Sequence, residues 1–241
     1  MKQVFYTIYV WLIAIPILLI VTVIVALLTI LLSPLFPDKE TSYFPARFWG
    51  RCICFLLFVR VEISGIEHIN PKESYIFALN HQSFFDIFVV YGWLPNIFKW
   101  IMKTELRKIP FVGLACQVAG HIFIDRSSHM AAIKSIEKAE EQLRNGVSVV
   151  IFPEGTRTST GKMRPFKRGV FRIATDLALP IVPATLVGSF ECLKRGTLRF
   201  TPGKIQLHIH QPINVKQYLP DNIQGLMNDT WMVINNAMIE N

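Results

Sequence analysis

Hydrophobic positions are concentrated at the start of the chain. Residues 4–32 are almost all aliphatic or aromatic, and no charged residue lies between Lys2 and Asp38. A helix needs roughly 20 residues to cross a bilayer core of ~30 Å, so this run is long enough. Pro16 lies inside it and is expected to kink the helix. The pattern predicts a membrane-associated helix that either spans the bilayer or bends into one leaflet.

A second segment, residues 44–58, has a mixed pattern. Arg47 and Arg51 are one helical turn apart, and Phe44 and Phe48 fall on a neighbouring face. A basic stripe beside an aromatic one is typical of a helix that lies in the lipid headgroup region. The alternative is an amphipathic helix packed on the protein's own core.

Positive charge follows the first apolar segment, at Arg47, Arg51 and Arg60. Because basic residues favour the cytoplasmic side, we expect a membrane protein with the bulk of its chain on the cytoplasmic face. The expected division is a membrane-associated helical hairpin over residues 1–62 and a second domain over residues 63–241, which would carry any active site.

The rest of the chain alternates short β-rich runs with stretches of helical period. The predicted strands lie in residues 56–65, 74–80, 98–103, 121–126, 147–155, 181–189 and 204–213. The predicted helices are residues 83–94, 130–145, 166–179 and 221–239. This alternation predicts an α/β fold with a mostly parallel central sheet flanked by helices, in addition to the N-terminal membrane-associated segment.

Composition narrows the classes of partner. Hydrophobic residues make up 51% of the chain and charged residues 17%, which suits a protein with part of its surface in lipid. The formal net charge of +8 favours anionic partners, such as an acidic membrane surface or a phosphorylated substrate. The four cysteines have no zinc-site spacing, and we expect them to be reduced and buried.

The sequence NHQSFFD, at residues 80–86, carries the most specific chemistry. A buried strand is predicted to end at His81, and Ser83 to Asp86 fits the S-x-x-D pattern of a helix start. The two side chains can therefore meet across the strand–helix boundary. An aspartate bonded to Nδ1–H leaves Nε2 free to act as a base. Phe84 and Phe85 are expected to surround this couple with apolar groups. The alternative is that Asp86 only caps the helix.

Two further motifs follow strands. FPEGTR, at residues 152–157, ends a buried strand with a tight turn that carries Arg157, and more basic residues come after it. Loops at strand ends of α/β sheets are common ligand sites, and arginine matches phosphate geometry. GHIFIDR, at residues 120–126, ends another strand with Asp125 and Arg126. Backbone N–H groups near Gly155 or Val182 are candidates for stabilising an oxyanion.

In this order, H-x4-D, G-x-x-F-I-D-R, F-P-E-G-T-R and I-V-P-A resemble the glycerolipid acyltransferase family, in particular its 1-acylglycerol-3-phosphate O-acyltransferase branch. The resemblance implies transfer of a fatty acyl group from acyl-CoA or acyl carrier protein to the 2-hydroxyl of lysophosphatidate, giving phosphatidate. It implies no cofactor besides the donor substrate, no metal and no nucleic acid, with the lipid bilayer as partner.

The resemblance also implies roles for particular residues. His81 would be the base and Asp86 its orienting partner. The acceptor phosphate would be bound by Lys103, Arg126, Glu154, Gly155, Thr156 and Arg157.

Three alternatives stay open. A metal hydrolase could combine His81 and Asp86 with His208 and His210. A non-enzymatic binder of membranes or nucleic acid would explain the charge but not the histidine–aspartate pair. Within the family, the acceptor could be glycerol 3-phosphate, another lysophospholipid or a lyso-aminolipid.

Overall fold

A computed structural model of the chain describes residues 2–35, 39–124, 147–219 and 221–240. Within these residues, seven strands form one sheet. The strands are β1 (Val59–Ser64), β2 (Ile76–Leu79), β3 (Phe98–Lys103), β4 (Ile122–Ile124), β5 (Ser148–Ile151), β6 (Ile181–Val187) and β7 (Gly203–Ile209).

Helices surround the sheet. The described α-helices are α1 (Lys2–Tyr9), α2 (Ile15–Leu35), α3 (Lys39–Leu56), α4 (Phe85–Trp93), α5 (Val112–Val118), α6 (Arg168–Asp176), α7 (Ser189–Cys192) and α8 (Ile223–Glu240). Single 3₁₀ segments cover Ile66–His68, Thr104–Lys108 and Val215–Tyr218.

The strand order is β1-β7-β6-β2-β5-β3-β4. Neighbouring strands run parallel except for β6 and β7, which pair antiparallel with Ala184 opposite Ile209. The predicted α/β fold with a mostly parallel sheet is confirmed. Because β2, β3, β5 and β6 run in the same direction, their carboxyl ends share one edge of the sheet, and the loops that follow them meet there.

The core has two layers, one on each face of the sheet. Successive side chains of a strand point to opposite faces, and β2 shows the consequence. Phe77 and Leu79 join a cluster with residues of α3 and α4, whereas Ile76 and Ala78 join a second cluster with residues of α6 and α8. All four β2 residues are buried, so the strand that leads to His81 is fixed on both sides.

The N-terminal apolar run forms one long helical segment, Gln3–Leu35, with a mean hydropathy of 3.2 in its most apolar window, 22% of which is buried. By length and composition, it is able to cross a membrane. The predicted disturbance at Pro16 takes the form of a π-helical turn at Val10–Ala14. Proline lacks an N–H and its ring crowds the carbonyl of the residue four positions earlier, so a widened turn just before it relieves that contact.

The N-terminal segment is docked on the rest of the protein through polar contacts as well as apolar ones. The hydroxyls of Tyr6 and Tyr9 donate hydrogen bonds to the carbonyls of Leu57 and Leu56. The opposite side of the segment is exposed and apolar. The exposed side chains of α2 include Leu19, Ile20, Ile24, Leu27, Leu28, Leu31 and Leu35.

Helix α3 is amphipathic, as predicted, but its arginines do not form a free basic stripe. Arg47 donates to the carbonyls of Leu94 and Pro95, and Arg51 donates to the carbonyl of Gly92. Cationic side chains are favourable at a helix C-terminus, and here they cap α4. The phenylalanine face of α3 is exposed, at Phe44, Phe48 and Phe55.

All seven predicted strands are confirmed, β3 over its predicted range and the other six over shorter ranges. Of the helices, the prediction for 83–94 is confirmed as α4, that for 166–179 as α6 and that for 221–239 as α8. The predicted helix 130–145 lies outside the described residues. Helices α5 and α7 had no sequence prediction. The division at residues 62 and 63 falls inside β1 and stays a prediction.

The crossing of α3 and α4 depends on glycine. A Cβ at Gly50 would lie 2.3 Å from the Phe88 carbonyl oxygen and 2.9 Å from the Gly92 nitrogen, both backbone atoms. Gly50→Ala should therefore push the helices apart and lower the free energy of unfolding by about 1–3 kcal/mol. Thermal unfolding of the detergent-solubilised protein measures this loss.

Gly169→Ala is the matched control, because a Cβ there meets nothing within 4 Å and the residue lies in α6. Alanine should be neutral or stabilising by roughly 0.5–1 kcal/mol at this position. Equal effects of the two substitutions would contradict the packing argument.

Candidate active site

The site lies at the carboxyl edge of the sheet, directly after β2. Asn80 follows the strand and fixes its end with a buried amide. Its Nδ2 donates to the Leu186 carbonyl and its Oδ1 accepts from the Leu186 N–H, both at 2.8 Å. These two hydrogen bonds extend the pairing of β2 with β6 by one residue and fix the position of the backbone just before His81.

The predicted histidine–aspartate couple is formed. Nδ1 of His81 lies 2.8 Å from Oδ2 of Asp86, and the Asp86 side chain is fully buried, whereas that of His81 is 14% exposed. A carboxylate only accepts hydrogen bonds, so Nδ1 carries the proton and Nε2 keeps its lone pair. The exposed part of the imidazole can therefore act as a base.

The start of α4 explains how a spacing of five residues brings the two side chains together. Oδ2 of Asp86 also accepts from the N–H groups of Gln82 and Ser83, at 2.6 and 2.8 Å. The hydroxyl of Ser83 accepts from the Phe85 N–H and donates to the Leu193 carbonyl. The S-x-x-D prediction holds only in part. Asp86 accepts from the Ser83 N–H, but the helix begins at Phe85, two residues later than predicted, and its N-cap residue is Phe84, whose side chain makes no capping bond.

The aromatic surroundings differ from the prediction. Phe85 is buried, but Phe84 is 48% exposed and lies beneath the Arg157 guanidinium, 3.6 Å from its ring centre. The ring that shields His81 is Phe152, stacked on the imidazole with centroids 3.8 Å apart and planes 8° apart. Sequence analysis missed this role, although Phe152 opens the FPEGTR motif.

Glu154 holds the backbone around His81. Its Oε1 accepts from the His81 N–H at 2.6 Å and its Oε2 accepts from the Arg164 N–H at 2.8 Å. The side chain is 2% exposed, so the carboxylate cannot face a phosphate, and the expected phosphate-binding role of Glu154 does not fit this geometry. The pKa of Glu154 is raised to about 7 because burial disfavours the charged form. The two N–H donors stabilise the charged form and oppose this rise.

The turn after Glu154 presents positive charge beside the couple. Gly155 has φ +73°, a backbone conformation that favours glycine. Arg195, which sequence analysis did not single out, donates from Nη1 to the Arg157 carbonyl at 2.7 Å. Burial, and then the nearby Arg195, lowers the pKa of Arg157. The turn therefore gathers positive charge, which favours an anionic ligand.

For the remaining predicted phosphate-binding residues, the described part of the chain shows no direct contact with the His81–Asp86 couple. Thr156 is half-buried within the turn. Lys103 ends β3 at the same edge of the sheet and is exposed. Arg126 lies outside the described residues.

The two candidates for oxyanion donors are not aimed at the site. The Gly155 N–H donates to the Phe152 carbonyl at 2.9 Å, and Val182 is buried inside β6 opposite Phe77.

His208, in β7, and His210, just after this strand, have other partners. Nδ1 of His208 lies 2.7 Å from the Ser64 hydroxyl, and Nε2 of His210 lies 2.8 Å from the Thr185 hydroxyl. Among the described residues, no three His, Cys, Asp or Glu side chains are grouped so that they could hold a metal ion. The geometry gives the metal-hydrolase alternative no support.

Comparison with known proteins decides the family. Residues 60–187, more than half of the chain, match the family model described as Acyltransferase. The chain belongs to the acyltransferase family. The matched range contains both the His81–Asp86 couple and the FPEGTR turn, so the site lies within the family's own region.

Among similar acyltransferases is human 1-acyl-sn-glycerol-3-phosphate acyltransferase alpha, 39% identical over 177 residues, which cover 72% of this chain and 62% of the human protein. The coconut palm (Cocos nucifera) 1-acyl-sn-glycerol-3-phosphate acyltransferase is 37% identical over 175 residues, covering 72% of this chain and 56% of that protein. The chain thus spans about three fifths of the length of the curated relatives it matches.

A solved acyltransferase structure extends the likeness to the whole chain. The 1-acyl-sn-glycerophosphate (LPA) acyltransferase PlsC from Thermotoga maritima superposes with a TM-score of 0.80 at 29% identity. The match covers 99% of this chain and 95% of that one, so it includes the N-terminal helices.

The buried Glu154 predicts a pH effect on stability. Its pKa of about 7 in the folded chain exceeds the ordinary value of 4.5, so the folded chain binds this proton more tightly than the unfolded chain. The difference in free energy of unfolding between wild type and Glu154→Gln should fall as pH rises from about 4.5 to about 7, and should be level outside that window. Unfolding of both solubilised proteins across this pH range measures it, and a difference that rises with pH would contradict the assignment.

Proposed function

We propose that this acyltransferase transfers a fatty acyl group from acyl-CoA or acyl carrier protein to the sn-2 hydroxyl of 1-acylglycerol 3-phosphate, forming phosphatidate for phospholipid biosynthesis. The observation that carries the proposal is the His81–Asp86 couple, 2.8 Å apart, beside the cationic turn of Arg157. The acceptor has a hydroxyl and a phosphate, and the site has a base and a cation. The human and coconut relatives, both 1-acyl-sn-glycerol-3-phosphate acyltransferases, support this acceptor.

The catalytic step follows from the tautomer of His81. Asp86 holds the Nδ1 proton, so Nε2 takes the proton of the acceptor hydroxyl as its oxygen attacks the thioester carbonyl carbon. The tetrahedral intermediate then collapses, the carbon–sulfur bond breaks, and the thiol leaves with the proton from Nε2. The thioester is already activated, so the reaction needs no cofactor besides the donor.

Phosphate binding is assigned to the cationic turn. The Arg157 guanidinium carbon lies 3.6 Å from the centre of the Phe84 ring, a cation–π contact that holds the side chain beside the start of α4. The planar guanidinium matches phosphate geometry. Gly155 and Thr156 shape the turn, and Lys103 and Arg126 complete the proposed phosphate-binding set.

The N-terminal helix supports a membrane location. Its apolar outer side and the exposed phenylalanines of α3 suit a lipid environment, from which a lysophospholipid reaches the site without crossing water. The catalytic domain is proposed to lie on the cytoplasmic face, as the arginines after the first segment favour.

His81→Ala should lower kcat by roughly 10²–10⁴-fold, because it removes the base while leaving the phosphate site in place. A transfer assay with labelled acyl-CoA or acyl carrier protein and lysophosphatidate measures it. His208→Ala is the control, since that ring contacts Ser64 away from the couple, and it should keep wild-type turnover. Retention of activity by His81→Ala would refute the mechanism.

Arg157→Ala tests the acceptor. Loss of a charged hydrogen bond to phosphate should raise KM for lysophosphatidate roughly 10- to 100-fold with a smaller effect on kcat. Arg172→Ala is the control, because Arg172 lies in α6 and contacts Asp176 on the surface. An unchanged KM, together with equal activity on a lyso-aminolipid that lacks phosphate, would contradict the phosphate role and favour another acceptor.

A further inference from the structure

A second apolar surface lies directly after the catalytic edge of β3. The 3₁₀ turn Thr104–Lys108 and the start of α5 expose four large apolar side chains, Leu106, Ile109, Phe111 and Leu114, at 41%, 43%, 52% and 50%. We call residues 106–114 the β3–α5 segment. Four such side chains within nine positions form a patch rather than the scattered exposure that is normal on a protein surface.

The segment is held in shape by its own hydrogen bonds. The N–H groups of Val112, Gly113 and Ala115 donate to the carbonyls of Pro110, Ile109 and Phe111. Phe111 has φ 59° and ψ −50°, a backbone conformation that residues with a side chain rarely adopt. The backbone thus keeps a large aromatic ring on the surface at a position where glycine would be less strained.

The β3–α5 segment adjoins the apolar outer side of the N-terminal helix. Helix α5 packs against α2. Its inner side is built from Gly113 and Ala115, which are buried, while Leu114 points outward. On α2, Leu27 and Leu28 are exposed at 43% and 42%. Two helices that contact each other thus both carry exposed apolar side chains.

The charges around the patch suit an anionic surface. Lys103, Arg107 and Lys108 are exposed, and Glu105 is the one acidic residue among residues 103–114. Exposed basic residues that border exposed apolar ones are typical of elements that lie in the headgroup region of anionic lipids.

We propose that the β3–α5 segment inserts into the headgroup region of an anionic lipid bilayer, as a membrane contact separate from the N-terminal helix. Insertion turns the carboxyl end of β3, with Lys103, toward the lipid surface. The catalytic edge of the sheet then faces the bilayer whatever lipid serves as acceptor. The inference concerns how the protein sits on lipid and does not rest on the proposed reaction.

Lipid-quenching experiments test this contact. Phe111→Cys, labelled with an environment-sensitive fluorophore, is reconstituted into phosphatidylcholine–phosphatidylglycerol vesicles that contain a lipid with a nitroxide near its headgroup. Quenching should be roughly two-fold or more, since the probe lies at the depth of the nitroxide. Labelled wild-type protein gives the background from native cysteines.

Leu219→Cys is the matched control. Leu219 is 43% exposed, against 52% for Phe111, but it follows the 3₁₀ turn Val215–Tyr218 and is not part of the β3–α5 segment. Equal quenching at positions 111 and 219 would overturn the proposal. A second label at Leu114→Cys keeps the test decisive if Phe111→Cys lowers the thermal midpoint.

The charge requirement is tested by Arg107→Gln with Lys108→Gln. Quenching at position 111 should be stronger on vesicles that contain phosphatidylglycerol than on pure phosphatidylcholine vesicles. The double variant should lose most of this difference. Quenching that is strong on both vesicle types and unaffected by the substitutions would overturn the anionic-lipid part of the proposal.

Discussion

One carboxylate oxygen organises the site. Oδ2 of Asp86 accepts from the imidazole of His81 and from the backbone N–H groups of Gln82 and Ser83, all within 2.8 Å. A buried charge is tolerated only where hydrogen bonds replace its water, and these three donors do so for Oδ2. Among the described residues, the second oxygen, Oδ1, is buried and has no hydrogen-bond partner. Because Oδ2 fixes both the tautomer of His81, the proposed base, and the turn from β2 into α4, the local fold and the proposed chemistry depend on one interaction.

Other elements support this centre by fastening the backbone of His81. Asn80 holds the strand end to β6, and Glu154 binds the His81 N–H from the loop after β5. The Thr158 N–H donates to the His81 carbonyl at 2.9 Å, and the Phe152 ring covers the imidazole. His81 is thus positioned by groups from three adjacent strands before any substrate arrives, which is the preorganisation that its proposed role as a base needs.

The sequence predicted what local patterns encode. The strands followed from apolar runs, and the His81–Asp86 contact followed from a helix-start motif only a few residues long. The contacts that were missed join distant parts of the chain. The bond from Glu154 to the His81 backbone spans 73 residues, and that from Arg195 to Arg157 spans 38. Such contacts depend on the order of strands in the sheet, which hydrophobic periodicity does not reveal. For this reason, the sequence motif suggested a ligand-binding role for Glu154 and gave no sign of its buried contacts with the backbone.

The apolar N-terminal layer and the His81–Asp86 couple belong to one packed unit. Helix α4 carries Asp86 and is covered by α3, which meets it at Gly50 and caps its C-terminus through Arg47 and Arg51. Helix α3 in turn contacts α2, where Trp49 donates to the Thr22 hydroxyl. Helix α3 therefore lies between the apolar N-terminal segment and α4, the helix that carries Asp86. Because the backbones of α3 and α4 are in direct contact at Gly50, we expect a displacement of α3 to move α4 and the Asp86 carboxylate with it.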